Sequence, residues 1–296
     1  MAKRLLLDVS SLMYRAFFAM GDTVATRDGR PVGAVHGYLD MVARVVKKRG
    51  PDEVIHCYDH EWRPIARTDM FAAYKANRPD EPGVLTAQFE MLRTVLDLAG
   101  FEQAHAPGWE AEDAMAALCA KAGERDRVEM VSGDRDLIQL VRDPVVKLLY
   151  TVRGVSELHE FDEAAVQEKY GLAPQRYGEF AILRGDPSDG LPGVKGVGEK
   201  TALALVQAYG SLDEILEDAA RDEPVTPGPL KGKPALRARL RESASYISTM
   251  RKLVPPNADA PLDRWTGERD EQTLKMACDD LGLSGPMKRL TAALKG

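Results

Sequence analysis

Four short apolar runs mark the first half of the chain, and three of them close on an aspartate: RLLLD at 4–8, VIHCYD at 54–59 and VEMVSGD at 128–134, with VKLLYT at 146–151 lacking the acid. Runs this short and this uniformly apolar read as strands buried on both faces, the pattern of a largely parallel sheet. Helical patterns lie between them: GAVHGYLDMVARVVKKR at 33–49, TAQFEMLRTVLDLAG at 86–100 with Gly100 as its stop, and EAEDAMAALCAKAG at 110–123. Alternating strand and helix implies right-handed crossovers and a doubly wound α/β core. In an open sheet of this kind ligands bind beyond the carboxyl ends of the strands, where Asp8, Asp59 and Asp134 all fall. Three carboxylates converging on one edge are the first functional signal.

After about residue 160 the strand pattern stops and Gly/Pro punctuation appears at 171–174, 185–193 and 225–234, so a second, all-helical unit is expected there. A chain of 296 residues, 44% apolar, can build one large core plus a smaller appended unit. No run approaches the roughly 18 apolar residues of a membrane span, and MAKRLLLDVSS meets an acid where a signal peptide would carry its apolar core; a cytoplasmic protein is expected. Cys57, Cys119 and Cys278 have no CxxC spacing and read as reduced core thiols, and the five histidines form no HExxH cluster, which argues against zinc. The net charge of −6 argues against a nucleic-acid partner until its distribution is considered. Bases gather at 44–49, 63–78 and 231–252, apart from the acids, as suits a nuclease that uses metal ions.

The acids fall at turns. Glu110 and Asp113 lie three apart, with Glu112 beside them; Asp134 and Asp136 follow a Ser-Gly turn; Asp186 and Asp189 flank Pro187 and Ser188. With Asp8 and Asp59 these make nine carboxylates whose mutual repulsion calls for cations. Hard oxygen ligands suit Mg²⁺ or Mn²⁺, and two such ions about 3.5–4 Å apart stabilise both the attacking and the leaving oxygen in phosphoryl transfer. Any one of the acids would pass for a helix cap or an Asx turn; the set would not.

Two further motifs concern phosphates. Gly193-Val194-Lys195-Gly196-Val197-Gly198-Glu199-Lys200-Thr201 resembles a P-loop, but Glu199 separates Gly198 from Lys200, which disfavours ATP hydrolysis. Glycines before a helix offer backbone N–H groups to a phosphate, with Lys195 and Lys200 adding charge, which suits DNA-backbone binding; a plain interhelical turn is the alternative. Tyr14, Arg15, Phe17 and Phe18 follow the first strand, with Arg63, Arg67, Tyr74, Lys75 and Arg78 further on, an interleaving of rings and bases that suits a frayed or single-stranded end. Phe17 and Phe18 themselves read as core residues.

LLLDVSSLMYRAFFA, GRPVGAVHGYL, YDH, AYKANR, GWEAEDAMA, VSGDRDLIQLV and RGDPSDGLPGVKGVGEKTA, in this order from residue 4 to about 215, resemble the 5′-nuclease family, the 5′→3′ exonucleases and flap endonucleases found at the start of bacterial DNA polymerase I and as stand-alone relatives. The resemblance implies a PIN-like α/β core with a helical arch over residues 1–165 and a helix–three-turn–helix unit gripping duplex DNA over 166–296. It implies metal-ligand positions at Asp8, Asp59, Glu110, Glu112, Asp113, Asp134, Asp136, Asp186 and Asp189, and Lys75 and Arg78 reaching the scissile phosphate. It also implies phosphate binding at Gly193, Lys195, Gly196, Gly198, Lys200 and Thr201, and a K⁺ held by the carbonyls of that loop. DNA contacts are expected from Tyr14, Arg15, Arg67 and Tyr74, from a monomer acting on 5′ flaps, nicks or frayed ends, including RNA-primed ones. Two positions depart from the family pattern: Glu112 stands where Asp is usual, and Gly190 where Asn is usual. No polymerase follows, so a stand-alone nuclease is expected. A phosphatase with an aspartate nucleophile would need an acid two residues after Asp8, where Ser10 stands; a PIN-type ribonuclease would lack the helical unit; a catalytically silent DNA binder would have lost carboxylates.

Overall fold

The structure, a computed structural model, describes residues 2–223 and 228–295. β1 (Lys3–Asp8) leads into α1 (Val9–Met20) and α2 (Gly33–Arg49), and β2 (Glu53–Tyr58) into α3 (Ile65–Met70) and α4 (Gly83–Ala99). β3 (Glu102–His105) is followed by α5 (Ala111–Ala120), and β4 (Arg127–Ser132) by the antiparallel pair β5 (Val146–Arg153) and β6 (Glu157–Phe161). β1 is paired in parallel with β2 on one side and β4 on the other, with β3 and β5 parallel beyond them. The expected buried strands are thus present, and their side chains divide between two cores: Leu5, Leu7 and Val131 face one, Leu6, Ile55, Cys57, Val128 and Met130 the other. All three cysteines are buried free thiols.

α6 (Glu163–Tyr170), α7 (Tyr177–Arg184), α8 (Glu199–Ala208), α9 (Leu212–Ala220), α10 (Pro234–Glu242) and α11 (Ala244–Leu253) form the expected helical unit. The punctuation expected at 225–234 begins at Val225, Thr226 and Pro227, which lie outside the described residues.

The chain then returns to the core. β7 (Asp263–Thr266) pairs antiparallel with β3, completing the order β6-β5-β4-β1-β2-β3-β7, and α12 (Glu271–Leu281) and α13 (Ser284–Lys295) pack on α4 and α2. Residues 263–295 therefore differ from the uniform helical unit expected over 166–296. Pairing β7 covers what would be an open edge on β3. Leu274, Cys278, Leu281, Leu283, Met287 and Leu290 bury an apolar stripe against the same core as α1 and α2. The helical unit is in effect inserted between β6 and β7. Among the described residues no helix is long and apolar enough to cross a membrane.

α1 explains a second difference. Its buried face is Val9, Leu12, Met13 and Ala16, at helical spacing, so Phe17 falls at the margin and Phe18 points outward, 76% exposed, rather than into the core.

Candidate active site

The sheet order reverses at β1, whose neighbours lead off in opposite directions, and this switch point opens a crevice at the carboxyl edge. Asp8 ends β1 and caps α1: its Oδ1 accepts from Ser11 N at 2.9 Å, and its Oδ2 from Ser132 Oγ at the end of β4 at 2.5 Å. Ser11 Oγ accepts from Gly133 N at 2.8 Å, tying the first turn of α1 to the loop after β4. Asp59, just past β2, accepts from Ala111 N at 2.8 Å. Glu110 caps α5 through a reciprocal box with Asp113, and Asp134 Oδ1 accepts from Asp136 N at 2.8 Å. Asp8, Asp59, Glu110 and Asp134 each accept a backbone N–H, so these carboxylates are placed by caps and turns rather than by long side-chain reach.

Asp8, Asp59, Glu110, Glu112, Asp134, Asp136, Asp186 and Asp189 line one cleft of about 700 Å³, together with Lys75 and Arg78. One oxygen each of Glu112, Asp134 and Asp136 lie within 4.8 Å of one another. Burial, then the charge of Asp59, pushes the Asp8 carboxyl up to about 7. Burial pushes Glu112 and Asp136 well above the ordinary range, with Asp134 adding to Asp136, and it raises Asp59 and Asp134 as well. A site that disfavours its own negative charge this strongly is a cation site in waiting: all-oxygen, hard and polyanionic, it fits divalent ions. Glu110 goes the other way. Against the effect of burial, Lys75 and Arg67 hold it down at about 2.

Not every predicted residue faces the cleft. Asp113 is fully buried and spends both oxygens on Arg67, Glu110 N and Asn257 N. Arg67, expected to meet DNA, is 1% exposed and donates to Glu110, Glu112 and Asp113; Tyr74, expected to stack on a base, is 3% exposed with its hydroxyl on Glu110 Oε2 at 2.7 Å. Both are corrections with one cause. Three adjacent carboxylates cannot be buried without an internal cation and donors, and the basic stretch supplies them. The expected helical arch is here a short helix, α3, and a run of turns over 71–78 folded onto the cleft. Lys75 ion-pairs with Glu110, and Arg78 Nη2 lies 2.6 Å from Asp189 Oδ1. Lys75 has φ 53°, a left-handed conformation that costs a side-chain-bearing residue about 1–2 kcal/mol, and its N–H donates to Asp189 O at 2.8 Å.

Tyr14 lines the cleft mouth and stacks on Trp62, centroids 5.6 Å apart and 18° between planes, whereas Arg15 turns inward to donate to Thr151 O at 2.8 Å. Trp62, Arg135, Tyr150 and Arg184 also line the cleft, and the sequence motifs do not point to them. Adjacency would have flagged two of them: Arg135 sits between Asp134 and Asp136, and Arg184 precedes the Gly-Asp-Pro-Ser-Asp turn. Gly190 has its own reason to be glycine. At φ 72° a Cβ there would stand 2.5 Å from Ala73 O, so the loop carrying Asp189 can rest on the Lys75 turn only without a side chain.

The glycine loop lies between α7 and α8. Gly193 N donates to Tyr246 Oη at 3.0 Å, while Lys195, Gly196, Gly198 and Lys200 are exposed and Thr201 is half-buried. Gly198 caps α8 without a side chain of its own, leaving the first-turn N–H groups open. Arg239 of α10 lies over Gly196, whose φ of 72° is a left-handed conformation that favours glycine.

Residues 3–171 match the family described as 5′-3′ exonuclease, N-terminal resolvase-like domain, and residues 172–275 the 5′-3′ exonuclease, C-terminal SAM fold. The chain belongs to the 5′-3′ exonuclease family. Its relatives include a 5′-3′ exonuclease of Streptomyces coelicolor, 41% identical over 98% of this chain and 99% of the relative, and one of Mycobacterium tuberculosis, 41% identical over 98% and 96%. DNA polymerase I of M. tuberculosis is 41% identical over 87% of this chain but only 27% of its own length. Among solved structures, the T5 D15 protein co-crystallized with metal ions superposes with a TM-score of 0.66 at 18% identity, covering 99% of this chain and 98% of that one. The catalytic core of Rad2 in complex with DNA substrate gives 0.63 at 16%, covering 99% and 92%. At these identities the structural likeness shows a common fold. This 5′-3′ exonuclease is thus a mixed α/β nuclease with a helical second unit, as its motifs lead one to expect.

Proposed function

We propose that this family member is a divalent-metal-dependent 5′→3′ exonuclease and 5′-flap endonuclease, hydrolysing phosphodiesters near the 5′ ends of branched or nicked DNA in replication and repair. The observation that carries the reading is the Glu112, Asp134 and Asp136 cluster, with Asp8 and Asp59 on the same sheet edge and Lys75 and Arg78 across the same cleft. Asp8, Asp59, Glu110, Glu112, Asp134, Asp136, Asp186 and Asp189 would hold two or more Mg²⁺ or Mn²⁺ ions, with Asp113 acting from behind them through the α5 cap. Once bound, such ions supply an activated water and positive charge at the leaving oxygen.

The chain's own residues do the rest. Lys75 and Arg78 exchange their carboxylate partners for the scissile phosphate and neutralise the charge that develops on it. Tyr14 and Trp62 offer stacked rings to an unpaired base at the mouth. The loop holding Gly193, Lys195, Gly196, Gly198, Lys200 and Thr201 grips the duplex backbone through N–H groups and ammonium charge, and its carbonyls are a seat for K⁺. The DNA grip belongs to the helical unit beginning near residue 166, in an enzyme that works as a cytoplasmic monomer, on RNA-primed as well as DNA 5′ ends. The test is release of 5′-labelled product from a flap duplex with Mg²⁺ or Mn²⁺ and its loss with chelator. A chain that binds the flap yet releases nothing under either ion is a silent binder, and the reading fails.

A further inference from the structure

Arg67 spends all its hydrogen-bonding capacity at one place. A guanidinium has five N–H donors in a fixed fork, and here all five are engaged. Nε donates to Leu253 O at 3.1 Å; Nη1 to Glu110 Oε2 at 3.0 Å and to Asp113 Oδ2; Nη2 to Asp113 Oδ1 at 3.0 Å and to Glu112 Oε1 at 2.5 Å. Its planar head lies 5.6 Å from the Trp109 ring and 5.9 Å from that of Tyr74, and the side chain is buried. One cation thus serves three carboxylates, and one of them, Glu112, belongs to the candidate metal cluster. The remaining donor reaches the end of α11. That end is tied in a second time, because Asn257 N donates to Asp113 Oδ1 at 2.7 Å, and α11 also supplies Tyr246 to Gly193 of the glycine loop.

We infer that Arg67 is a positioning residue: it fixes the Glu112 carboxylate in the orientation the metal cluster needs and anchors it to the end of α11, so that the metal ligands and the helical unit share one hydrogen-bonded joint. The inference rests on the metal-dependent nuclease reading. A lysine cannot replace this arginine. It brings the charge but only three donors from a single point, and it cannot bridge Glu112, Asp113, Glu110 and the Leu253 carbonyl together.

The experiment measures Mn²⁺ binding by electron paramagnetic resonance, without DNA, for wild type, Arg67→Lys and Arg67→Met, with thermal unfolding of the metal-free proteins alongside. Partners that orient metal ligands are worth about 10–100-fold in metal affinity. Arg67→Lys is expected to weaken Mn²⁺ binding by that much, with an altered hyperfine pattern for the ion that remains, and Arg67→Met by at least as much. A folded Arg67→Lys variant with a lower unfolding temperature but wild-type Mn²⁺ affinity overturns the inference and leaves Arg67 a structural ion pair. Should neither variant fold, the wild-type Arg67 Nε–H resonance, assigned through bonds, decides the matter. It is expected to shift along with Mg²⁺ saturation, and an unmoved signal overturns the inference. Wild type that neither binds Mn²⁺ nor cuts a flap takes down the nuclease reading itself, an outcome separate from the failure of Arg67 alone.

Discussion

The carboxylate cleft and the glycine loop are proposed to meet the same ligand, a phosphodiester backbone, with opposite physics. The cleft gathers buried and half-buried acids at the sheet edge and raises most of them toward protonation; the loop presents glycines, open N–H groups and the exposed Lys195 and Lys200. Chemistry demands a dense, desolvated field, so the cleft accepts electrostatic strain that the rest of the fold must offset. Grip demands only many weak, solvent-exposed contacts, so the loop needs no strain and no side-chain precision. Removing one group from each should therefore give effects that differ in kind as well as in size.

The largest effect is expected in the cleft. Asp136 is half-buried beside Asp134, and one oxygen of each lies within 4.8 Å of one of Glu112. Asp136→Ala is expected to lower cleavage by roughly a thousandfold or more while leaving the unfolding temperature of the metal-free protein unchanged or raised, because a repulsive neighbour is removed. Single-turnover cleavage of a labelled flap in saturating Mn²⁺ checks it. A variant keeping more than about a tenth of the wild-type rate would place Asp136 outside the site.

Lys75 tests whether the cleft's cations act on the transition state or merely bind. Lys75→Ala is expected to cost about 2–4 kcal/mol in single-turnover rate with little change in flap affinity. Equal losses in both would make Lys75 an ordinary phosphate contact, no different in kind from the glycine loop's lysines.

The strain should also be visible without substrate. Asp8 sits at about 7 in the fold, and Asp59, Glu112, Asp134 and Asp136 are raised as well, so the metal-free folded state binds more protons than the unfolded chain. Their contribution to stability is complete below the ordinary carboxylate range and is lost as pH rises through the folded values. Glu110, held at about 2, acts in the opposite sense: its contribution is complete above its ordinary value of 4.5 and is lost only as pH falls below it. The unfolding temperature of chelated protein is therefore expected to fall between about pH 5 and pH 8, and saturating Mg²⁺ to flatten the decline. A flat or rising profile without metal would show the cleft to be less strained than its burial indicates.

Legibility followed the same division. Asp8, Asp59 and Asp134 could be placed because a buried parallel strand announces itself as an apolar run and its end marks the site edge. The exposed glycine loop was legible because turn glycines before a helix have a local signature. Arg67 and Tyr74 read from sequence as DNA contacts because residue type alone cannot say whether a polar side chain meets solvent or a buried acid. For Arg67 that depends on Glu110, Glu112 and Asp113, 43 to 46 positions away, and for Tyr74 on Glu110, 36 positions away. β7, α12 and α13 are illegible in the sequence for the same reason: Asp263–Thr266 carries only a short polar strand, and what makes it one is the open edge of β3.

The smallest effect is expected in the loop. Lys200 is exposed in the first turn of α8, beside the open N–H groups after Gly198. A contact of this kind releases about one counterion and reads no base, so Lys200→Ala is expected to weaken binding to any flap duplex alike and to reduce the slope of log K against log salt by about 1. The rate of bound substrate should stay nearly intact, and cutting of a short single strand, which never reaches α8, should hardly change. Binding measured by fluorescence anisotropy across a salt series, on two flaps of unrelated sequence, checks both parts. Unchanged affinity and slope would reduce Gly193 to Lys200 to a plain turn between α7 and α8. The duplex grip would then have to be sought on α10, where Arg239 already reaches over Gly196.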